Sequence, residues 1–325
     1  MKQSILILFF ALGCFAFDFS IYNKLDDIER YLTTLDSCKG RVKSRLESIG
    51  TTYEGRSINM ITMSTNARAP YCGCKKKAIL VECGIHSREF ISIAFCLYFM
   101  DFLKNTQTGI QLVKKFDWYL IPVLNPDGYV YSMNVERLWR KNRNPFNETC
   151  VGTDLNRNFG MEWDPANGGS DDPCNLFSYS GPQSFSELES QAARDVIVNR
   201  GIDFVGYLGV HAFGQMWIYP WGYTFDLVPD DATLAKCAQI ATAAATSRNG
   251  IPYTYGKVTD FFPTIGGLAV DYAKSAGIKF SYEIELRDNG TFGHLLPEDQ
   301  IIPTSEETTD AIVAWADCVC AEIAS

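Results

Sequence analysis

The segment from Gly84 to Glu89 (Gly-Ile-His-Ser-Arg-Glu) sets a histidine and a glutamate three positions apart. The chain has only three histidines, His86, His211 and His294. Zinc favours neutral imidazole and carboxylate ligands, and a catalytic zinc keeps three protein ligands and one open position. The pattern therefore predicts that His86, Glu89 and His211 bind a zinc ion. The alternative, two polar residues that share one face of a turn, stays open on this motif alone.

Hydrolysis at a zinc ion also needs a general base for water and a cation for the developing oxyanion. Glu283 and Glu285 are two positions apart and share one face of a strand, although such alternation is also typical of a solvated strand face. Residues 137–143 (Arg-Leu-Trp-Arg-Lys-Asn-Arg) form a basic cluster, which a surface patch would also explain. Arg157 lies between two asparagines. Because a guanidinium binds a carboxylate through two parallel hydrogen bonds, Arg157 is a candidate anchor for an anionic substrate group.

The elements that must position these residues are buried strands. Apolar runs bounded by turns alternate with helical patterns, which is typical of an α/β fold. One strand ends just before the His-x-x-Glu segment and another leads into His211, at the carboxyl ends where open α/β sheets place their sites. A turn at residues 125–128 (Asn-Pro-Asp-Gly) is expected to close the second strand. The predicted strands are residues 77–83, 118–123, 204–210 and 280–286, and the predicted helices are residues 25–35, 89–103, 185–199, 232–247 and 306–318.

The composition is that of a globular protein with a large core: 46% of the 325 residues are hydrophobic and 21% are charged. No repeat or long linker divides the chain, so we expect one domain. The net charge of −9 argues against nucleic acid and anionic membranes as partners, because both favour a basic surface.

The N-terminus has the layout of a secretory signal peptide. Lys2 precedes an apolar run at residues 5–12, small residues extend to Ala16, and polar chain resumes at Asp18. This run is shorter than the roughly 20 apolar residues that a membrane span requires. We predict a signal peptide over residues 1–16, a catalytic domain over residues 17–325, and a secreted, extracellular protein.

Cysteine usage agrees with export. Of the eleven cysteines, Cys14 would leave with the signal peptide, and the others can pair in an oxidising compartment. Cys150 and Cys174 bracket a polar loop rich in glycine and asparagine and are the first candidates for a disulfide. Asn147 and Asn289 lie in glycosylation acceptor patterns.

The remaining cysteines leave several arrangements open. Cys72 and Cys74 lie in a turn and could bond to Cys38 or to the tail cysteines, Cys318 and Cys320. A zinc knuckle is the alternative for the turn and tail cysteines, but an oxidising compartment favours disulfides. Buried free thiols are predicted for the two cysteines in apolar stretches, Cys83 and Cys96.

Six motifs follow one another along the chain: Gly-Ile-His-Ser-Arg-Glu (84–89), Leu-Trp-Arg-Lys-Asn-Arg (138–143), Gly-Thr-Asp-Leu-Asn-Arg-Asn (152–158), His211 before Tyr-Pro-Trp-Gly-Tyr (219–223), Glu-Leu-Arg-Asp (285–288) and Ile-Ile-Pro-Thr (301–304). In order and spacing they resemble the zinc metallocarboxypeptidases of the pancreatic A/B type, from about Tyr22 to the C-terminus. The resemblance implies a single α/β domain with a mixed, mostly eight-stranded twisted sheet and helices on both faces. It also implies one zinc ion per chain and hydrolysis of the C-terminal peptide bond of peptides and proteins.

The resemblance implies a role for each matching position. The zinc ligands would be His86, Glu89 and His211, and Glu285 would be the general base for zinc-activated water. Arg140 would stabilise the oxyanion of the scissile carbonyl. The remaining roles are the clamp for the substrate's C-terminal carboxylate (Asn156, Arg157 and Arg88), the hydrogen-bond partner of the first zinc histidine (Asp154) and the family's disulfide (Cys150 and Cys174).

Two hydroxyl groups typical of the family are missing. The tyrosine of its mobile loop is replaced by Phe262 or Pro263, depending on a one-residue gap, and the Ser-Tyr after the third ligand is replaced by Ala212-Phe213. We expect weaker substrate binding or an altered extended site. We expect His294 to be a surface residue without function.

Two positions predict different side-chain preferences. Val270 aligns with the residue at the base of the family's side-chain pocket and predicts an aliphatic or aromatic C-terminal residue. Glu283 aligns with a small hydroxyl residue of the same pocket, and a carboxylate that points into it would attract lysine or arginine. If Glu283 is paired elsewhere, the pocket is apolar. Of the two, we favour the basic preference.

Partners and control follow from the same resemblance. It begins almost directly after the signal peptide, which leaves no room for the pro-domain that family members commonly carry. The enzyme would be exported active or controlled by a separate protein inhibitor. We expect a monomer that acts on peptides or proteins with a free C-terminus. Two alternatives stay open, a catalytically silent relative that binds peptide C-termini and a zinc amidase of small acyl amino acids.

Overall fold

The computed structural model describes residues 17–38, 40–65, 76–198 and 200–324. The centre of this part is a mixed eight-stranded sheet with the strand order β1-β2-β4-β3-β5-β8-β6-β7. Its strands are β1 (Lys43–Thr51), β2 (Ser57–Ser64), β3 (Ala78–Cys83), β4 (Asp117–Ile121), β5 (Phe204–Ala212), β6 (Met216–Tyr219), β7 (Thr254–Lys257) and β8 (Phe280–Leu286). Strands β4, β3, β5 and β8 run parallel to one another, as do β6 and β7, and the other neighbouring pairs are antiparallel.

Helices cover both faces of the sheet. One core cluster lies against α1 (Leu25–Ser37), α2 (Phe90–Asn105), α3 (Gln107–Lys115), α4 (Pro126–Asn134), α6 (Asp231–Asn249) and α9 (Ile301–Ala324). A second cluster, on the other face, lies against α5 (Leu188–Val198) and α8 (Ala269–Ser275). A short helix, α7 (Val258–Phe261), follows β7. Layers of helices on both sides bury the central strands completely, which explains their near-continuous apolar sequences.

The predicted fold class is confirmed, and the four predicted strands are β3, β4, β5 and β8. The prediction of a turn at residues 125–128 is wrong, because this segment begins α4. The Asn125 side chain accepts a hydrogen bond from the Gly128 N–H, and Pro126 occupies the start of the helix, where its missing N–H costs nothing. Helix α9 begins at Ile301, five residues before the predicted start.

Two disulfides cross-link the described residues. Cys150 and Cys174 are bonded, as predicted. Cys237 of α6 bonds to Cys318 of α9. Of the arrangements that the sequence left open, a bond between Cys318 and a turn cysteine is therefore wrong, and so is the disfavoured zinc-knuckle alternative for Cys318. The two helices pack along each other, which brings together cysteines 81 positions apart.

The structure tests the prediction of two buried free thiols but not the predictions for Cys72, Cys74 and the N-terminal segment. Cys83 and Cys96 are buried free thiols, as predicted. Cys72, Cys74 and the predicted signal peptide lie outside the described residues. None of the helices within the described ranges combines the length and the apolar character that crossing a membrane requires.

Candidate metal centre and active site

The His-x-x-Glu segment forms the sharp turn between β3 and α2. Gly84 has a φ of 66°, and a Cβ atom on it would lie only 2.9 Å from the Ile93 side chain, so glycine is required there. The Ser87 N–H donates to the Arg140 carbonyl, which joins this turn to the basic segment. Glu89 is the N-cap residue that directly precedes α2. The turn and the helix start therefore fix the backbone of two candidate ligands.

Two rows of residues from the central strands lie on the same face of the sheet. His211 of β5 pairs directly with Glu285 of β8, and two positions earlier Gly209 pairs with Glu283. Glu82 of β3 extends this second row, because it pairs with Gly209. Directly paired residues point to one face of a sheet, and rows two positions apart are separated by about 6.6 Å. The register thus places the candidate base beside a candidate ligand, with an acidic row below them.

The three candidate zinc ligands converge on one point. The Nδ1 atoms of His86 and His211 are 3.1 Å apart, and each lies close to a different oxygen of Glu89, at 2.8 Å and 3.2 Å. All three side chains are buried. Zinc binds nitrogen and oxygen at about 2.0–2.1 Å, which in a tetrahedral site separates neighbouring ligand atoms by roughly 3.3 Å. The donor types and their spacing therefore fit a zinc ion.

Asp154 connects the metal site to the basic segment. Its Oδ1 lies 3.1 Å from Nε2 of His86, which leaves Nδ1 of that histidine for the metal. Its Oδ2 accepts hydrogen bonds from Nε and Nη2 of Arg140, at 3.1 Å and 3.0 Å. Although burial opposes ionisation, Arg140 and His86 hold the pKa of Asp154 well below its usual range. One ionised carboxylate thus orients a ligand and the proposed oxyanion cation.

Glu285 has the environment expected of a general base and acid. In the metal-free protein burial raises the pKa of Glu285 to about 8, against the opposing attraction of His211. Its Oε2 has no hydrogen-bond partner among the described residues. A carboxylate of raised pKa can accept a proton from water and hold it until a leaving group takes it.

Asn156 and Arg157 lie on the floor of the cleft. Arg157 donates from Nη1 to the Asn156 carbonyl at 2.7 Å and from Nε to the Gly168 carbonyl at 3.0 Å, which fixes the guanidinium. The Asn156 side chain is oriented from both ends, because its Oδ1 accepts from the Ala269 N–H at 2.9 Å and its Nδ2 donates to Glu283 Oε1 at 2.8 Å. These hydrogen bonds therefore hold both side chains in fixed positions in the cleft that also contains the candidate zinc ligands.

Of the two predicted specificity residues, only Glu283 lines the cleft, which has a volume of about 370 Å³. Val258 and Leu268 form apolar walls near it. Val270 is completely buried in the core cluster beneath α8, and its contribution to the pocket stays a prediction. The sequence left open whether Glu283 points into the pocket or is paired with another residue. Glu283 does both, because it lines the cleft and accepts a hydrogen bond from Asn156.

The other end of the cleft contains residues that the sequence did not single out. Phe177 and Ser178 line it, and Arg88 lies beside them, its Cζ 5.6 Å from the centre of the Phe177 ring. Arg88 is thus in the cleft, but no hydrogen bond ties its side chain to Asn156 or Arg157. Phe177 follows Cys174 closely, and the loop of the disulfide was the only signal that could have found it.

His294 also lines the cleft, against the expectation of a surface residue without function. Its ring packs edge-on against Phe213, with 5.0 Å between ring centres. Burial lowers the pKa of His294 to about 4, so the ring is neutral near pH 7. Phe262 lies on the cleft wall as well, and neither phenylalanine supplies the hydroxyl group that the sequence comparison found missing.

Comparison with known proteins gives one consistent result. The sequence model of the zinc carboxypeptidase family matches residues 28–311. Carboxypeptidase B of Astacus astacus is 37% identical over 306 residues, which cover 93% of this chain and 98% of that protein. Carboxypeptidase B of Homo sapiens is 40% identical over 297 residues, which cover 90% of this chain and 69% of that protein.

A solved structure agrees with the sequence comparison. Bovine thrombin-activatable fibrinolysis inhibitor, solved in complex with a tick carboxypeptidase inhibitor, superposes with a TM-score of 0.85 at 34% identity. The match covers 94% of this chain and 99% of that chain.

Proposed function

This chain belongs to the zinc carboxypeptidase family and is a metallocarboxypeptidase, and from that premise we propose that it is a secreted enzyme that removes lysine and arginine from peptide C-termini. The observation that carries the proposal is the joint presence, in one cleft, of three converging zinc ligands, a carboxylate of raised pKa, two fixed arginines and a buried acid. No other group of residues within the described ranges combines these features.

The chain's own residues supply most of the chemistry. A zinc ion held by His86, Glu89 and His211 would supply Lewis acidity for a water molecule and for the scissile carbonyl. Glu285 takes the proton from the attacking water and returns it to the leaving amine. Arg140, whose guanidinium Asp154 holds in place, donates to the oxyanion as it develops.

Binding of the substrate's C-terminal carboxylate decides which peptide bond lies beside the catalytic residues. Arg157 and Asn156 are fixed by their own hydrogen bonds, so they bind this carboxylate without further ordering. A free carboxylate at this point places the last peptide bond beside Glu285. The same contact excludes internal peptide bonds, which is the defining property of an exopeptidase.

The basic preference rests on Glu283, a carboxylate that lines the cleft and is 5% exposed. Its neighbours within the protein are Asn156, which donates a hydrogen bond to it, and the His211 ring at 3.7 Å. The nearby carboxyl groups of Asp271 and Glu82 do not compensate its charge. A substrate cation would pair with Glu283, whereas an apolar side chain would bring no charge to this buried carboxylate.

Export and control are part of the same proposal. The signal-peptide pattern at residues 1–16 and two disulfides support an extracellular protein. The complex of the bovine relative with a tick carboxypeptidase inhibitor supports a separate protein inhibitor as a partner. We propose that the enzyme acts as a monomer.

The first test is release of C-terminal residues from a mixed peptide library by protein recovered from the medium of expressing cells. We expect stepwise release of lysine and arginine, loss of activity with 1,10-phenanthroline, and recovery when zinc is restored. An intact-protein mass equal to that of a chain beginning at Phe17 would support cleavage after Ala16. Release that the chelator does not affect would contradict the metal mechanism, and release of leucine or phenylalanine alone would contradict the basic preference.

Glu283→Gln tests the pocket residue, because glutamine keeps the size of the side chain and its hydrogen bond from Asn156. We expect kcat/KM for C-terminal arginine to fall about 10- to 100-fold relative to C-terminal leucine, since a hydrogen bond to a charged group is worth roughly 1.5–3 kcal/mol. Glu189→Gln, the same change at a buried glutamate of α5, is the matched control. An unchanged ratio in Glu283→Gln would remove the role of this residue.

A further inference from the structure

We propose that Asn125 is a positioning residue whose side-chain amide fixes the zinc ligand His86 and the oxyanion cation Arg140 relative to each other. This role rests on the functions proposed above for His86 and Arg140, and Asn125 acts through both of them. Asn125 belongs to none of the six motifs described above.

Asn125 lies where β3, β4 and α4 meet. Its backbone N–H donates to the Gly84 carbonyl at 3.1 Å, which extends the pairing of the two strands beyond their ends. Its side chain is completely buried, and its Oδ1 caps α4 by accepting from the Gly128 N–H at 2.9 Å. Because a backbone N–H can only donate, this bond identifies the oxygen of the amide and leaves Nδ2 on its other side.

The Nδ2 atom of Asn125 joins two segments of the active site. It donates to the Ile85 carbonyl at 3.2 Å and to the Lys141 carbonyl at 3.1 Å. Ile85 directly precedes His86, and Lys141 directly follows Arg140. One planar amide therefore ties the backbone beside the zinc ligand to the backbone beside the cation.

Gly128 allows this close approach. A Cβ atom on Gly128 would lie 2.5 Å from Nδ2 of Asn125 and 2.7 Å from the Lys141 carbonyl oxygen, which is closer than real contacts of this kind. A side chain at position 128 would therefore push the amide away from the carbonyl, so the packing requires glycine here.

Ser87 adds a second link between the same two backbone segments. Its N–H donates to the Arg140 carbonyl at 3.2 Å, and its Oγ donates to the Trp139 carbonyl at 2.5 Å. Asp154 joins the side chains of these segments, whereas Asn125 and Ser87 join their backbones. The backbone links set the separation at which the Arg140 guanidinium reaches the metal site.

Asn125→Ser separates this positioning role from the helix cap. Serine is an equally good N-cap residue and can still accept from the Gly128 N–H, but its hydroxyl is too short to donate to the two carbonyls. We expect kcat to fall about 10- to 100-fold, because small displacements of catalytic groups are costly. KM should stay within about twofold, because other hydrogen bonds hold Asn156 and Arg157.

The test uses zinc-loaded enzyme and whichever of benzoyl-glycyl-arginine and benzoyl-glycyl-leucine the wild type cleaves faster. A double-mutant cycle with Arg140→Ala distinguishes positioning from a general loss of stability. If Asn125 acts through Arg140, Asn125→Ser should lower kcat at most about threefold in the Arg140→Ala enzyme. Independently of activity, the dissociation constant for zinc, measured by competition with a chelator, should rise about tenfold in Asn125→Ser, because the backbone of His86 is less fixed.

Thr106→Ala is the matched control, because it removes the side-chain cap of α3, which the Gly109 N–H donates to Thr106. It should lower thermal stability and keep the wild-type kcat and zinc affinity.

The outcomes separate this role from the proposed function. The same fall in kcat in both backgrounds would overturn the positioning role, and so would wild-type kcat and zinc affinity in folded Asn125→Ser. Unchanged turnover in Arg140→Ala alone would overturn the proposed function of Arg140, and zinc affinity would then decide whether Asn125 positions His86. If Asn125→Ser does not fold, Asn125→Asp decides by the same measurements, because it keeps the shape and the cap but has no N–H to donate.

Discussion

At the scale of single residues, the active site is organised by Asp154. This carboxylate binds His86 through one oxygen and Arg140 through the other. It lies completely buried, and its two partners are what keep it ionised. The proposed metal ligand and the proposed oxyanion cation are therefore positioned by one group.

Arg140→Ala should lower kcat/KM by about 10²–10³, because loss of one preorganised oxyanion donor removes roughly 2.7–4 kcal/mol of transition-state stabilisation. The drop should appear in kcat, with the zinc content unchanged at one ion per chain. Steady-state kinetics with metal analysis and a thermal unfolding curve would measure this. Unchanged turnover in a folded, zinc-loaded variant would remove the role of Arg140.

Glu189 makes a separate prediction about stability and pH. The Asn142 side chain donates to Glu189 and also to Glu187, and burial raises the pKa of Glu189 from 4.5 to about 7, with Glu187 adding to the shift. The native state therefore binds this proton more tightly than the unfolded state does. The resulting stability is present below pH 4.5 and is lost as the pH rises through about 7.

Between pH 4.5 and pH 8 the wild type should lose roughly 3 kcal/mol of unfolding free energy that Glu189→Gln, which cannot titrate, keeps. The difference in unfolding free energy between the variant and the wild type should therefore shift by that amount in favour of the variant. Urea unfolding at the two pH values measures the free energies. Glu148→Gln, at an exposed position, is the control and should show no such trend. A constant difference between Glu189→Gln and wild type would show that Glu189 does not titrate with folding.

At the scale of elements, Lys141 holds a loop that forms part of the cleft wall. It is 1% exposed and donates from Nζ to the carbonyls of Asn175, at 2.7 Å, and Pro173, at 3.4 Å. These residues flank Cys174, so the loop is fixed by a disulfide and a buried cation together. Phe177 extends from this loop into the cleft.

Lys141→Met keeps an apolar stem in the same space but removes the donors for two loop carbonyls. We expect KM to rise about 3- to 10-fold for peptides of five or more residues, with kcat little changed, because the loop wall becomes less ordered. Amide hydrogen exchange at residues 174–179 should become faster. Wild-type exchange and KM in this variant would show that the disulfide alone fixes the loop.

At the scale of the whole molecule, one sheet with helices on both faces positions His211, Glu283 and Glu285, and two disulfides tie other parts of the chain together. The disulfide between Cys237 and Cys318 joins α6 to the C-terminal helix α9, and the one between Cys150 and Cys174 closes a shorter loop. In the loop-closure view, the cross-link with the longer separation restricts the unfolded chain more.

Replacing both cysteines of each pair by alanine should therefore give unequal losses of stability. We expect roughly 4 kcal/mol for the pair separated by 81 positions and roughly 3 kcal/mol for the pair separated by 24. Only loss of the shorter link should also raise KM, because it borders the cleft. Urea unfolding and steady-state kinetics measure the two effects, and a reversed order of stability would argue against the loop-closure account.

The sequence by itself predicted the residues that we propose for the chemistry, and it determined the type of fold. Apolar runs and helical periodicity identified β3, β4, β5 and β8, because buried parallel strands require continuous apolar sequence. The motif around His86 and the pair Glu283 and Glu285 could be found because short-range spacing fixes which side chains share a turn or a strand face. The edge strands were missed because half-exposed strands lack an equally clear pattern.

The tertiary structure decided the contacts between residues far apart in sequence. Cross-strand register set Glu82 beside Gly209 and Glu283, and helix packing paired Cys237 with Cys318. It also brought His294 to the cleft. These neighbours are separated by tens to more than a hundred positions, and no local pattern encodes their distance. They depend on how strands are ordered in the sheet, and that order is determined only when the whole core packs.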